Sequence, residues 1–116
     1  MTNFSNLPHE KLYAYQEARK LLLCVHESRI ADAKLRDQAL RAAKSVCLNI
    51  AEGAGRAGVA DKARVYAIAR GETCEVVSAL EIAVLIGECV REPARRGAVH
   101  AEAVYALLTG LIRRSA

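Results

Sequence analysis

Tryptophan is absent from this chain, phenylalanine occurs once, and tyrosine occurs four times. Runs of alternating apolar and polar residues, the mark of half-buried strands, are missing as well. Only two prolines, Pro8 and Pro93, interrupt the pattern. These absences exclude sandwiches and barrels and leave helices. The four cysteines, Cys24, Cys47, Cys74 and Cys89, contain no Cys-x-x-Cys pair, so zinc-ligand spacing is missing. The three histidines, His9, His26 and His100, show neither His-x-x-x-His nor Glu-x-x-His spacing, which excludes a ferritin-like di-metal site. No apolar run reaches membrane length, and no charged start precedes an apolar signal core. The expectation is a cytoplasmic protein with no membrane partner, no cofactor and no metal, its thiols reduced and buried as small hydrophobes.

What is present is alanine, leucine, glutamate and arginine, spaced for helices. At 116 residues the chain makes one domain, 1–116, large enough to bury a core without metal or disulfides. The periodicity predicts four helices, over about 8–30, 35–53, 60–90 and 97–114. Pro8 suits a first helical turn, and Phe4 and Leu7 stand ready to pin the preceding tail onto the body. The first helix steps through Leu12, Tyr15, Ala18, Leu22 and Val25, with Leu7, Ala14 and Leu21 on a neighbouring line.

The second is the most informative. Leu35, Ala39, Ala42, Ala43, Val46 and Ile50 share one side, and Gln38, Ser45, Asn49 and Glu52 line its flank. Its far side carries Leu40 and Leu48, which a single bundle leaves wet. The third helix carries a heptad seam, Tyr66, Ala69, Thr73, Val76, Leu80, Ala83, Gly87 and Val90. Val77, Ile82, Val84 and Ile86 lie outside that seam, so the helix is apolar nearly all round and needs cover on most sides. Another copy of the chain is the cover expected. The fourth helix is seamed by Ala101, Val104, Leu108 and Leu111, after a connection stopped by Pro93.

Short links between long helices favour an antiparallel up-down-up-down four-helix bundle. That connectivity gathers Arg29, Lys34, Arg36, Arg91, Arg95 and Arg96 at one end, and Arg56, Lys62, Arg64, Arg113 and Arg114 at the other. Acids interleave both clusters, and a plain solvated surface accounts for either in a single subunit. The formal charge of +4 is a mild bias toward polyanions. In a ring of copies each cluster recurs about the axis and forms a basic rim suited to phosphate backbones.

Two motifs invite chemistry. Gly53-Ala-Gly-Arg-Ala-Gly58 spells G-x-G-x-x-G, but a dinucleotide turn needs a strand before it, and here a helix precedes. It reads as a helix stop, at Gly53 and Gly55, and a hairpin link. Gln38, Arg41, Ser45, Asn49, Glu52 and Arg70 form a structural polar motif, in which Glu52 accepts from a neighbouring helix, from Arg41 or from Arg70. No second carboxylate or nucleophile stands at fixed spacing to Glu52, so no catalytic residue is assigned.

The run Gln38-Ala-Leu-Arg-Ala-Ala-Lys-Ser-Val-Cys-Leu-Asn-Ile-Ala-Glu-Gly53, with Arg56, resembles the central motif of a four-helix-bundle family. Its members include proteins encoded in intervening sequences of bacterial 23S ribosomal RNA genes. Ile68-Ala-Arg-Gly-Glu-Thr-Cys-Glu75 is similar to that family's second motif, and Leu107-Leu-Thr-Gly-Leu-Ile112 to its end. Glu72 departs from it, standing where relatives often carry serine, and Cys47 is a second departure. The resemblance implies an antiparallel bundle assembling into a ring, typically a pentamer, in a family most of whose members have no established activity; no enzymatic activity is expected of this chain. A related branch, the accessory protein of diversity-generating retroelements, implies RNA or DNA and a protein as partners. The two candidate functions are a homo-oligomer binding nucleic acid through its cations and a protein-interaction scaffold that does not.

Overall fold

Four helices carry the chain: α1 over Tyr13–Glu27, α2 over Ala33–Gly55, α3 over Val59–Leu85 and α4 over Arg91–Ser115. The computed structural model describes residues 3–115, with no strand among them. They form one all-helical body in which α1 and α3 each pack on both α2 and α4. No described helix is long and apolar enough to cross a membrane.

The seams read from the sequence meet in the core. Ala39, Ala42, Ala43, Val46 and Ile50 of α2 are buried, as are Tyr66, Ala69, Thr73, Val76, Leu80 and Ala83 of α3. From α4 come Ala101, Val104 and Leu108. On α1 the buried line runs through Ala14, Ala18, Leu21 and Val25, while Leu12, Tyr15 and Leu22 pack half-buried beside it. Leu40 also packs against the core, so only Leu48 of the α2 pair stays wet, at 70% exposure.

Helix ends differ from the periodic reading for local reasons. Pro8–Lys11 is a separate 3-10 turn, because Leu12 takes an extended conformation before α1 begins. The tail is held by polar contacts, not by its apolar residues. Phe4 is 97% exposed and Leu7 is exposed too. Instead, the Ser5 amide donates to the buried Glu10 carboxylate at 3.2 Å, and His9 Nε2 lies 3.3 Å from it. Asp32 starts α2 earlier than its apolar pattern by accepting from the Leu35 amide at 2.9 Å.

Helix α3 stops at Leu85, so Gly87 and Val90 lie beyond it. Gly87 takes φ +71°, the Glu88 amide donates to Ala83 O at 2.9 Å, and the Gly87 amide donates to Val84 O at 3.1 Å. This is a Schellman stop, which needs the left-handed residue glycine supplies. Pro93 does not block α4 but sits buried in its first turn, where no intrahelical donor is lost.

Gly53 lies inside the last turn of α2 and is needed for space, not for a left-handed stop. A Cβ there would meet Tyr66 Cε1 at 2.7 Å and Cδ1 at 2.8 Å. The glycine lets the Tyr66 ring close over the end of α2.

Helices α1 and α4 are also tied by Glu17 Oε2 and His100 Nδ1, 2.6 Å apart. Burial pushes the Glu17 carboxyl up, but the His100 hydrogen bond and the Lys20 charge outweigh it and hold the carboxyl below its usual range. A depressed carboxylate contributes stability at neutral pH that is lost as pH falls through its folded value. Glu17→Gln should therefore be less stable than the parent at pH 7. The difference should shrink as both are acidified below about pH 4, measured by urea titration at each pH.

Candidate nucleic-acid interface

The flank of α2 meets α3 through a polar seam. Ser45 Oγ donates to Glu72 Oε2, Asn49 Nδ2 donates to Glu72 Oε1 at 2.7 Å, and Asn49 Nδ2 reaches Ser45 Oγ at 3.2 Å. Two turns before Ser45 on α2, Gln38 Nε2 donates at 3.4 Å to Glu75 Oε1, one turn beyond Glu72 on α3. The seam opens into a groove of about 420 Å³ lined by Lys34, Asp37, Gln38, Arg41, Ser45, Glu72 and Glu75. The acid of this motif is thus Glu72, not Glu52. Glu52 faces outward and pairs with Arg56 one turn along the same helix, at 2.5 Å. Arg41 is three turns away from it, and Arg70 is engaged by α4, donating to Thr109 Oγ1 at 3.2 Å and lying 5.3 Å over the Tyr105 ring. Periodicity within α2 could not find Glu72. The signal was in α3, where Glu72 and Glu75 repeat the three-residue step that the polar flank needs from its partner.

The two basic clusters differ in what they have left over. At the α2–α3 link the cations are spent within the chain. Lys62 Nζ donates to Ala54 O at 2.8 Å and to Gly53 O at 3.2 Å, capping the end of α2, where a helix favours a cation. Asp61 lies 3.2 Å from Arg56 and 2.9 Å from Arg64. Arg64 and Arg56 together hold the Asp61 carboxyl below its usual range. Arg113 and Arg114 lie exposed in the last turn of α4.

The other cluster forms where the α1–α2 and α3–α4 links join. The Ala31 amide donates to Glu88 O and the Val90 amide to Ser28 O, each at 2.7 Å. This exchange joins the link that carries Arg29 to the residues just before Arg91. Arg29 itself takes φ 48°, a left-handed conformation that an L side chain adopts only where neighbours fix it. Arg36 donates to Ile30 O at 3.1 Å, and Arg96 sits 3.7 Å from Glu27 and 3.9 Å from Glu92. Among the described residues, Arg29, Lys34, Arg91 and Arg95 have no ion pair or hydrogen bond from their side chains, and all four are exposed. A hollow of about 420 Å³ beside the joined links is lined by His26, Arg29, Ile30, Arg36 and Leu40, among others.

The sequence matches the family described as 23S rRNA-intervening sequence protein over residues 10–110, a span reaching from the buried Glu10 into the last turns of α4. The chain belongs to that family. No curated protein matches it. The matched span of this 23S rRNA-intervening sequence family member includes the α2–α3 polar seam and the joined links, but stops short of Arg113 and Arg114.

The cysteines divide. Cys24 and Cys47 are buried, and burial pushes the Cys47 thiol to about 11. Cys89 is half-buried, and Cys74 is exposed on α3, against the expectation that all four are inside. Among the described residues no group of three His, Cys, Asp or Glu could hold a metal ion.

Lys62 offers a check on the division between the clusters. Lys62→Met should lower stability by about 1 kcal/mol, the size of a cation at a helix end. It should leave the affinity for nucleic acid unchanged, because its ammonium is already occupied. Chemical unfolding and filter binding on the same variant measure both.

Proposed function

We propose that the chain is a non-enzymatic, cytoplasmic homo-oligomer of up-down-up-down bundles that binds RNA or DNA through Arg29, Lys34, Arg91 and Arg95. The observation that carries this reading is that these four cations, on the joined links or in the first turns of the helices that leave them, are exposed and without a partner of their own. Four exposed cations at one end of the bundle favour a polyanion, and each phosphate neutralised releases counterions. Of the second set, Arg56, Lys62 and Arg64 are engaged internally, and Arg113 and Arg114, exposed in the last turn of α4, lie at the far end of that helix from Arg91 and Arg95. No tyrosine belongs to the patch, so contacts go to phosphates with little base reading.

Self-association is supported by apolar surface on several helices. Leu85 is 81% exposed, Leu48 and Tyr13 are exposed on α2 and α1, and Val99 is exposed on α4. Such surface also supports the second reading, a protein-interaction scaffold. A filter-binding titration across salt with duplex RNA, duplex DNA and single strands separates them. Affinity falling steeply with salt supports nucleic-acid binding. Salt-insensitive binding, or none, rejects it, and a pull-down surviving nuclease then favours the scaffold. Light scattering gives the number of copies, for which the resemblance to the family implies five in a ring.

A further inference from the structure

Four charged residues on the outer faces of α2 and α4 stand in a matched pattern. Asp37 and Lys44 lie four and eleven residues beyond Ala33, where α2 starts. Arg95 and Glu102 lie four and eleven residues beyond Arg91, where α4 starts. Each pair is seven residues apart and so occupies one line along its helix. The signs are opposite, acid then base on α2 and base then acid on α4. All four side chains are exposed, and none has a hydrogen bond or ion pair among the described residues.

The joined links bring the starts of the two helices together, since Ala31 and Val90, just before them, bond across to Glu88 and Ser28. With the connectivity proposed above, α2 and α4 leave those links in the same direction. At 1.5 Å per residue, Asp37 and Arg95 then stand about 6 Å up the bundle, and Lys44 and Glu102 about 16 Å. Within one chain these pairs point apart, because α1 and α3 each pack on both α2 and α4 and hold those two at diagonal corners. The same two sides carry an apolar knob and an apolar hole. Helices α3 and α4 enclose a groove of about 370 Å³ lined by Val77, Glu81, Val84, Leu85 and Ala98, among others. Leu23 is exposed on α1 four residues before its end, the level that Glu81 holds on α3.

We propose that copies of this chain meet side to side, the α1–α2 side of one against the α3–α4 side of the next. Lys44 then meets Glu102, Asp37 meets Arg95, and Leu23 enters the groove. The proposal deepens the homo-oligomeric reading above and rests on it. A closed ring turns each copy about its axis without a rise, so side chains that meet must stand at one level. Both charge pairs and Leu23 satisfy that condition for bundles upright about the axis. Opposite sides of one molecule are used, so the contact is heterologous and runs on from copy to copy until it closes. The bundle measures 43 × 29 × 21 Å, so a long side offers on the order of 900 Å², enough for the roughly 800 Å² per partner of a standard interface. The basic end of one copy comes next to that of its neighbour, which builds the rim. Arg95 keeps donors for phosphate, because a guanidinium has five and a carboxylate takes two.

Cross-linking reads the contact directly. In a Cys74→Ser/Cys89→Ser background, Lys44→Cys and Glu102→Cys carried on one chain and treated with a short bis-maleimide should give a ladder of joined chains. The ladder should stop at the copy number of the ring. Either new cysteine alone should join nothing, since like residues do not meet. Lys44→Glu, checked for its helical signal and melting, should raise the dissociation constant of assembly at least tenfold, because like charges then face each other. Adding Glu102→Lys should restore it. An oligomer that gives no ladder and keeps its mass in Lys44→Glu overturns the contact and leaves the homo-oligomeric reading standing. Pairs joined through Lys44→Cys alone or Glu102→Cys alone overturn it as well. Single chains at every concentration overturn both.

Discussion

Reversing the charge of Arg91 and Arg95 together should weaken binding to duplex RNA or DNA about 100-fold at low salt. A hydrogen bond to a charged group is worth roughly 1.5 kcal/mol or more, and each 1.4 kcal/mol is about tenfold. The double variant Arg91→Glu/Arg95→Glu forfeits two such contacts and adds repulsion. The salt dependence should flatten as well, with the log–log slope falling by about one for each phosphate contact removed. The matched control is Arg56→Glu/Arg64→Glu, the same change of charge at the α2–α3 link. Those arginines already answer Glu52 and Asp61, so their reversal should cost stability and leave affinity within a few-fold of the parent. Equal losses from the two double variants would sink the assignment, since net charge alone would then account for binding.

The distinction between the clusters also marks how far the chain could be read before folding. The seams on α2, α3 and α4 were legible because a buried face repeats with the helix itself. Tyr66, Ala69, Thr73, Val76, Leu80 and Ala83 are all buried, as their spacing requires. The two groups of cations could be named from connectivity, but not which of them is spent. That depends on where single atoms fall, such as Lys62 Nζ on the carbonyls of Gly53 and Ala54.

Gly53 illustrates the same limit. Its position near a helix end has two physical explanations, a left-handed stop and a close approach, and only the Tyr66 ring thirteen residues away decides between them. Pro93 was misleading for a related reason. A proline breaks a helix interior but not its first turn, and where the first turn falls is set by the exchange of hydrogen bonds between the two links. Glu72 was hidden because a polar flank on one helix specifies that a partner exists without naming it.

The α1–α3–α4 junction gives the largest effect expected on stability. Leu80 is buried at 2% exposure, and its Cδ1 lies 3.0 Å from where a Cβ on Gly97 would stand. Cys24 Cβ is 3.3 Å and Leu21 Cδ1 3.7 Å from the same point. The glycine lets α4 settle onto both neighbours, and Leu80 fills the space it leaves. Leu80→Ala should therefore cost about 2–5 kcal/mol, the transfer of the lost carbons plus an incompletely closed cavity. That is a large fraction of the roughly 5–15 kcal/mol that holds a domain folded. Gly97→Ala alone faces Cys24 Cβ, which has no rotamer freedom, so overpacking of about 1–3 kcal/mol is offset by a helix-propensity gain of about 1 kcal/mol. In the double variant the Leu80 atom that opposes the new methyl is gone, and the methyl occupies part of the vacated volume. Its loss should fall short of the sum of the two single losses by at least about 0.5 kcal/mol, as expected for residues in contact. Urea titrations with a common m-value would measure the cycle. Strict additivity would mean that Gly97 and Leu80 do not share the space assigned to them.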